Sequence, residues 1–121
     1  YLPYNDAVAI AETNQLVYCA TNTAVFTYDK TDFSLTQLNL INGLSDIGVS
    51  TLNVNPSNNK VLIAYTNGNL DLIDANKNVT NLPAIKLSAI VGSKRINHIY
   101  FQGKLAYLLT AFGIFSKIGF K

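Results

Sequence analysis

The chain has 121 residues, 49% of them hydrophobic, which excludes a disordered tail and allows a buried core. Its single cysteine rules out an internal disulfide and leaves the redox compartment unread. Charge is small overall but uneven: residues 1–75 carry two basic groups and all seven acids, whereas residues 76–121 carry seven basic groups and no acid.

That asymmetry has two readings, an attraction for an anionic partner or lysines simply dispersed over exposed strand faces and turns, and the second is the simpler. Nucleic acid is a poor fit, because there is no basic helix, no zinc-ligand spacing and no basic run beyond Lys94-Arg95. No apolar run approaches the roughly 18–20 residues of a membrane helix, so a membrane-spanning segment is not expected here. The opening YLPYND has neither the basic start nor the apolar stretch of a signal peptide. Whether a leader was removed or lies upstream stays open.

In chain order, short runs of Val, Ile, Leu, Tyr, Phe and Thr are separated by Asn, Gly, Asp, Ser and Pro, and none holds a helical period. Strands are predicted near 7–12, 15–21, 24–29 and 34–40, then near 49–54, 60–66, 69–74 and 79–85. A third set comprises 96–101, 104–110 and a strand starting near Gly113. The turn Thr66-Asn67-Gly68-Asn69 joins its strands with residues that tolerate positive φ, which predicts a tight hairpin. Asn55-Pro56-Ser57-Asn58-Asn59 reads as a surface loop. Pro83 belongs near the edge of an outer strand, since proline removes a ladder donor.

The sets repeat. QLVYCATNTAVFTYD (15–29), KVLIAYTNGNLDLID (60–74) and KLAYLLTAFGIFSKI (104–118) align without a gap at offsets of 45 and 44 residues. Thr21, Thr66 and Thr110 fall in one column, and Asp29 and Asp74 share another. A sheet-forming repeat of this length is the interval of a β-propeller blade, because one small twisted sheet cannot hide both faces and must stack on others. The fold expected is therefore all-β, a β-propeller fragment of about three consecutive four-stranded antiparallel blades, the last incomplete. The blades are placed at about 4–41, 47–86 and 95–121. A propeller closes with roughly four to eight blades, so the remainder and any further domains are expected outside this segment.

NGLSDIGVSTLNVNPSNNKVLIAYTNGNLDLID (42–74) resembles the repeat of the two-component-regulator propeller family, with Gly43-Leu44, Val49, Leu52, Leu62, Thr66, Gly68, Leu70 and Asp74 at matching positions. It departs at Ile63 and Tyr65. LPYNDAVAIAETNQLVYCAT, the NGLSD connector, IAYTNGNLDLID and INHIYFQGKLAYLLTAFGI together resemble the N-terminal propeller of PorZ-like proteins of the type IX secretion system. The resemblance implies an exported protein at the outer face of the outer membrane, built from two propellers and a β-sandwich. It also implies work in an attachment complex with the sortase PorU and the shuttle PorV, and association with anionic lipopolysaccharide. It brings no catalytic triad or metal motif.

The residues themselves point the same way: no catalytic group, cofactor or metal ligand is expected. His98 reads as a hydrogen-bonded structural residue rather than a base, since no nucleophile has triad spacing. Cys19 reads as a buried small apolar residue, and Asp29 and Asp74 as turn residues. Asp71 stands in a column with Phe26 and Phe115 and is expected to be exposed. Propeller geometry gathers the connectors and the hairpins between second and third strands on one face. Candidate ligand contacts there are Asn67 by its amide, Tyr65 and Phe112 by stacking on a sugar, and Lys94 with Arg95 toward phosphate or carboxylate. Two other functions share the repeat, a ligand-sensing propeller of a hybrid two-component regulator and a carbohydrate-active propeller enzyme. The first would continue into a membrane helix and a kinase; the second would need acids, histidine or metal ligands repeated near the axis.

Overall fold

The computed structural model describes residues 7–74, 76, 78–82, 95–103, 105–110 and 113–119, with side chains described as far as residue 109. Within these, eleven strands form three antiparallel sheets and there is no helix. Sheet 1 holds β1 (Ala9–Glu12), β2 (Leu16–Ala20), β3 (Ala24–Asp29) and β4 (Leu35–Asn39) in that order. Sheet 2 holds β5 (Val49–Val54), β6 (Val61–Tyr65), β7 (Leu70–Ile73) and β8 (Val79–Leu82), again in order. Sheet 3 holds β9 (Ile96–Gln102), β10 (Leu105–Thr110) and β11 (Gly113–Gly119). Each is a meander of the kind the sequence predicts, and the predicted strand at 79–85 is seen through Leu82; Pro83 lies outside the described residues.

Sheet 2 is packed on both sides, which explains why β6 reads as the continuous apolar run VLIAY rather than an alternation. Toward sheet 1 it presents Val61, Ile63, Tyr65 and Ile73, which meet Tyr18, Ala20 and Val25. Toward sheet 3 it presents Leu62, Ala64 and Leu70, which meet Ile96, Ile99, Ala106 and Leu108. Each large aliphatic fully removed from water here contributes about 1.5–3 kcal/mol. Cys19 is buried as expected, on the opposite face of sheet 1.

The first strands of the sheets are neighbours, with β5 beside both β1 and β9. Polar side chains fasten β5 to the third sheet: Ser50 Oγ donates to the Ile96 carbonyl at 2.7 Å, Asn53 Nδ2 to Ile99 at 2.8 Å and Asn55 Nδ2 to Gly103 at 3.0 Å. On the other side the Asn22 carbonyl accepts from Gly48 N at 2.7 Å and Val49 N at 3.2 Å, which ties the β2–β3 hairpin to the entry of β5. Backbone carbonyls that no ladder serves are thereby paired.

The ungapped alignment fails at the second hairpin. In sheet 1 Ala20 pairs with Val25, whereas in sheet 2 it is Ala64 that pairs with Leu70. The second hairpin thus holds one residue more. Its loop is a turn in which Gly68 N donates to the Tyr65 carbonyl and Gly68 takes φ +89°, a bulge only glycine enters without cost. The consequence is visible in the faces: Tyr18 and Ala20 look toward the following sheet, but their aligned partners Ile63 and Tyr65 look back toward the preceding one. Thr21 and Thr110 are structurally equivalent, each closing a two-residue loop opposite Ala24 or Gly113. Thr66 is out of that column by one.

Candidate functional site

The face predicted to carry a ligand is built from the connector after β4 and the hairpins at 20–25 and 64–70. At its centre is Asp71, wholly buried, on β7. Its Oδ2 accepts from the Tyr65 hydroxyl at 2.7 Å and from Ser45 N at 2.8 Å, and its Oδ1 accepts from Asn81 Nδ2 at 3.1 Å. The expectation that Asp71 is exposed is therefore wrong. Its column mates gave the better signal, since Phe26 is buried and a position filled by phenylalanine elsewhere faces the interior. In sheet 2 the connector crosses that position and brings a backbone N–H that needs an acceptor.

Tyr65 is likewise wholly buried. Its ring belongs to the core between sheets 1 and 2 and offers no face to a sugar, which corrects the stacking role expected of it. The one-residue slip is the cause, because it turns β6 so that Tyr65 points between the sheets. Burial, together with the hydrogen bond to Asp71, pushes the phenol well above its ordinary range.

Asn67 stands on the predicted face, half-buried, but its amide is engaged inside the molecule. Its Nδ2 donates to Asp46 Oδ2 at 2.8 Å and its Oδ1 accepts from Asn69 N at 2.9 Å. Asn69 Nδ2 reaches the same Asp46 oxygen at 3.3 Å, and Asn69 Oδ1 accepts from Asn81 at 2.8 Å. Connector, hairpin and outer strand are so joined in one network running from Asp46 to Asp71. Arg95 is exposed at the start of β9. Lys94 and Phe112 lie outside the described residues.

Asp29 and Asp74 do share a turn function. Asp29 Oδ1 accepts from Thr31 N at 2.8 Å and Thr31 Oγ1 at 2.6 Å, and Asp74 Oδ1 accepts from Asn76 N at 2.9 Å and Asn78 N at 3.0 Å. The Thr31 bonds, helped by Gln15, hold the Asp29 carboxyl down at about 2, and the Asn78 backbone lowers that of Asp74. His98 departs from expectation: its ring is exposed on the outer face of sheet 3, beside Tyr100, Tyr107 and Leu109, rather than hydrogen-bonded inside.

Sequence reasoning missed a second region. At the opposite ends of the same strands, an open groove of about 820 Å³ runs between β1, β5 and β9, lined by Glu12, Asn14, Lys30, Asn53, Asn59 and Tyr100 among others. Lys30 and Glu12 form an ion pair on its sheet 1 side. Asn14 and Asn59 stand 45 residues apart at one repeat position, whereas Lys30 and Asn53 have no repeat counterpart among the lining residues, so the aligned columns do not announce the groove as a whole.

The sequence profile of the PorZ N-terminal β-propeller domain of the type IX secretion system matches residues 17–118. The chain belongs to this family. Among solved structures it is similar to PorZ of Porphyromonas gingivalis, described as an essential bacterial surface component of the type IX secretion system, with a TM-score of 0.83 and 29% identity over 93% of the chain. It spans 15% of that protein's length. It shares its fold with the extracellular domain of the putative hybrid two-component system BT4673 of B. thetaiotaomicron, at a TM-score of 0.70 and 13% identity, covering 87% of this chain and 14% of that one. No curated protein matches the sequence. In this propeller domain the connector and the hairpin are locked together by a buried carboxylate.

Proposed function

We propose that this PorZ propeller is a non-catalytic binding and adaptor element of the cell-surface attachment complex, exported and associated with the outer membrane. In that role it works with the sortase PorU and the shuttle PorV and helps to deliver anionic lipopolysaccharide to the sortase. The observation that carries the reading is the family match over residues 17–118. The arrangement of the connector face supports it: its described carboxylates and amides are spent on holding connector and hairpin in place, as suits a scaffold. Lys94 and Arg95, which precede β9 in the sequence, supply the basic contact. A sensing role for a two-component regulator has the weaker support, since likeness at 13% identity carries the fold alone.

The test is binding of purified lipopolysaccharide by the full-length protein. Saturable binding that prefers the anionic form and falls when Lys94 and Arg95 are both changed to Ser is expected, with loss of affinity as salt rises. Equal binding of lipopolysaccharide with and without the anionic polysaccharide overturns the reading.

A further inference from the structure

Asparagine followed by glycine occurs twice in the sequence, at Asn42-Gly43 and Asn67-Gly68. The step is chemically labile, because a glycine nitrogen reaches the preceding amide carbon with no Cβ in its way. At the second site the Gly68 nitrogen would give up its proton and bond to Asn67 Cγ; the Cγ–Nδ2 bond breaks, and the amide nitrogen leaves as ammonia with that proton. Water then opens the cyclic imide to aspartate or isoaspartate. No electrons are exchanged, and a neutral amide has become a carboxylate.

The fold holds both sites against this reaction. At each glycine the attacking nitrogen already donates to a carbonyl, Gly43 to Asn39 and Gly68 to Tyr65, each at 3.1 Å. Both amides are gripped at their two ends. Asn42 Oδ1 accepts from Asn39 N at 2.7 Å and its Nδ2 donates to the Gln37 carbonyl at 2.9 Å, so its partners belong to its own loop. Asn67 is guarded from farther away. Its Oδ1 accepts from Asn69 N at 2.9 Å, but its Nδ2 is held at 2.8 Å by Asp46 Oδ2, a carboxylate of the connector 21 positions back. That guard exists only while connector and hairpin are closed on one another.

Conversion also has unequal consequences at the two sites. At Asn42 it removes the donor to the Gln37 carbonyl in a loop that is open to solvent. At Asn67 it sets one carboxylate against another where a donor stood, with Asn69 Nδ2, 3.3 Å from Asp46 Oδ2, as the donor left to serve them. Isoaspartate would in addition lengthen the backbone of a turn that depends on Gly68 at φ +89°. We propose that Asn67-Gly68 is a latent deamidation site, guarded by Asp46 while the connector is closed and, once converted, a bar to its closing again.

The experiment incubates the full-length protein in mildly alkaline buffer and measures by mass the acid form of the peptides carrying Asn42 and Asn67, with the same protein in guanidinium supplying the unguarded rates. Asn67 is expected to convert at least tenfold more slowly in the folded protein. Asp46→Ala should raise the folded rate at Asn67 about tenfold, the change that about 1.4 kcal/mol makes in the population of an open connector, and leave Asn42 within twofold. Equal rates with and without guanidinium overturn the proposal, as does acceleration of both asparagines together or of neither. The product is tested by Asn67→Asp, which decides the matter if Asp46→Ala does not fold. Hydrogen exchange at Ser45 to Ile47 should rise at least tenfold in that variant and fall back when Asp46→Asn is added, since an amide can donate to the new carboxylate. Exchange left unchanged by Asn67→Asp, or not restored by the added substitution, overturns the proposal too.

Discussion

The hairpins of the first and second sheets solve one packing problem with opposite chemistry. At the same position of the third strand, sheet 1 has Phe26 between Cys19 and Gln37, and sheet 2 has Asp71 between Ile63 and Asn81. Phenylalanine fills its space by contact and needs no partner. The carboxylate must be met by donors, and it obtains them from three separate segments: connector, hairpin strand and outer strand. Propeller blades are therefore free to differ inside while keeping their outline, and the difference is where a connector is fastened.

Putting the second solution into the first hairpin breaks the comparison most severely. Phe26→Asp should cost at least about 4 kcal/mol, combining the loss of a buried ring with a carboxylate that has no Ser45 or Tyr65 counterpart. Denaturant unfolding of the full-length protein would show it as a lowered midpoint of the propeller transition.

Asp71→Ala comes next, at about 3 kcal/mol, because the buried Tyr65 hydroxyl is left without an acceptor and Ser45 N–H loses its own. The loss should concentrate in the connector, read as faster hydrogen exchange at Ser45 and its neighbours than in β9. Uniform acceleration across all three sheets would mean that the clamp is no more than generic packing.

Tyr65→Phe removes one donor and should cost about 1 kcal/mol at neutral pH. Its sharper signature is alkaline. The folded phenol is raised above its ordinary value near 10, so its contribution is intact below pH of about 10 and is lost as the pH climbs beyond, where only the unfolded chain gives up the proton. Tyr18, raised by burial, adds to the same decline. Melting temperatures across this range should fall less steeply in the variant and not become flat.

The smallest effect belongs to the two turn aspartates, both partly open to solvent. Each carboxyl is lowered in the folded chain, that of Asp29 to about 2. Their contribution is present above the unfolded value near 4 and disappears as the pH falls toward the folded one. Asp29→Asn should reduce the acid sensitivity of the melting temperature between about pH 4 and 2 and do little at pH 7.

The strand order, the three-sheet division and the turn aspartates could be read along the chain, because alternation, turn residues and a recurrent spacing are local properties. Asp29 and Asp74 are an example: the turn bonds of each go to residues two to four positions ahead, so that motif is complete in a short window even though Gln15 adds a longer-range bond to Asp29. Family membership too follows from the order of residues.

Asp71 and Tyr65 show what tertiary structure alone decided. Asp71 is inside because a connector 26 positions away supplies a donor, and no local pattern encodes that meeting. Tyr65 points into the core rather than out because one additional residue at Gly68 shifts the strand pairing, and with a side-chain period of two a shift of one exchanges the faces. An alignment of letters does not register which face a residue takes.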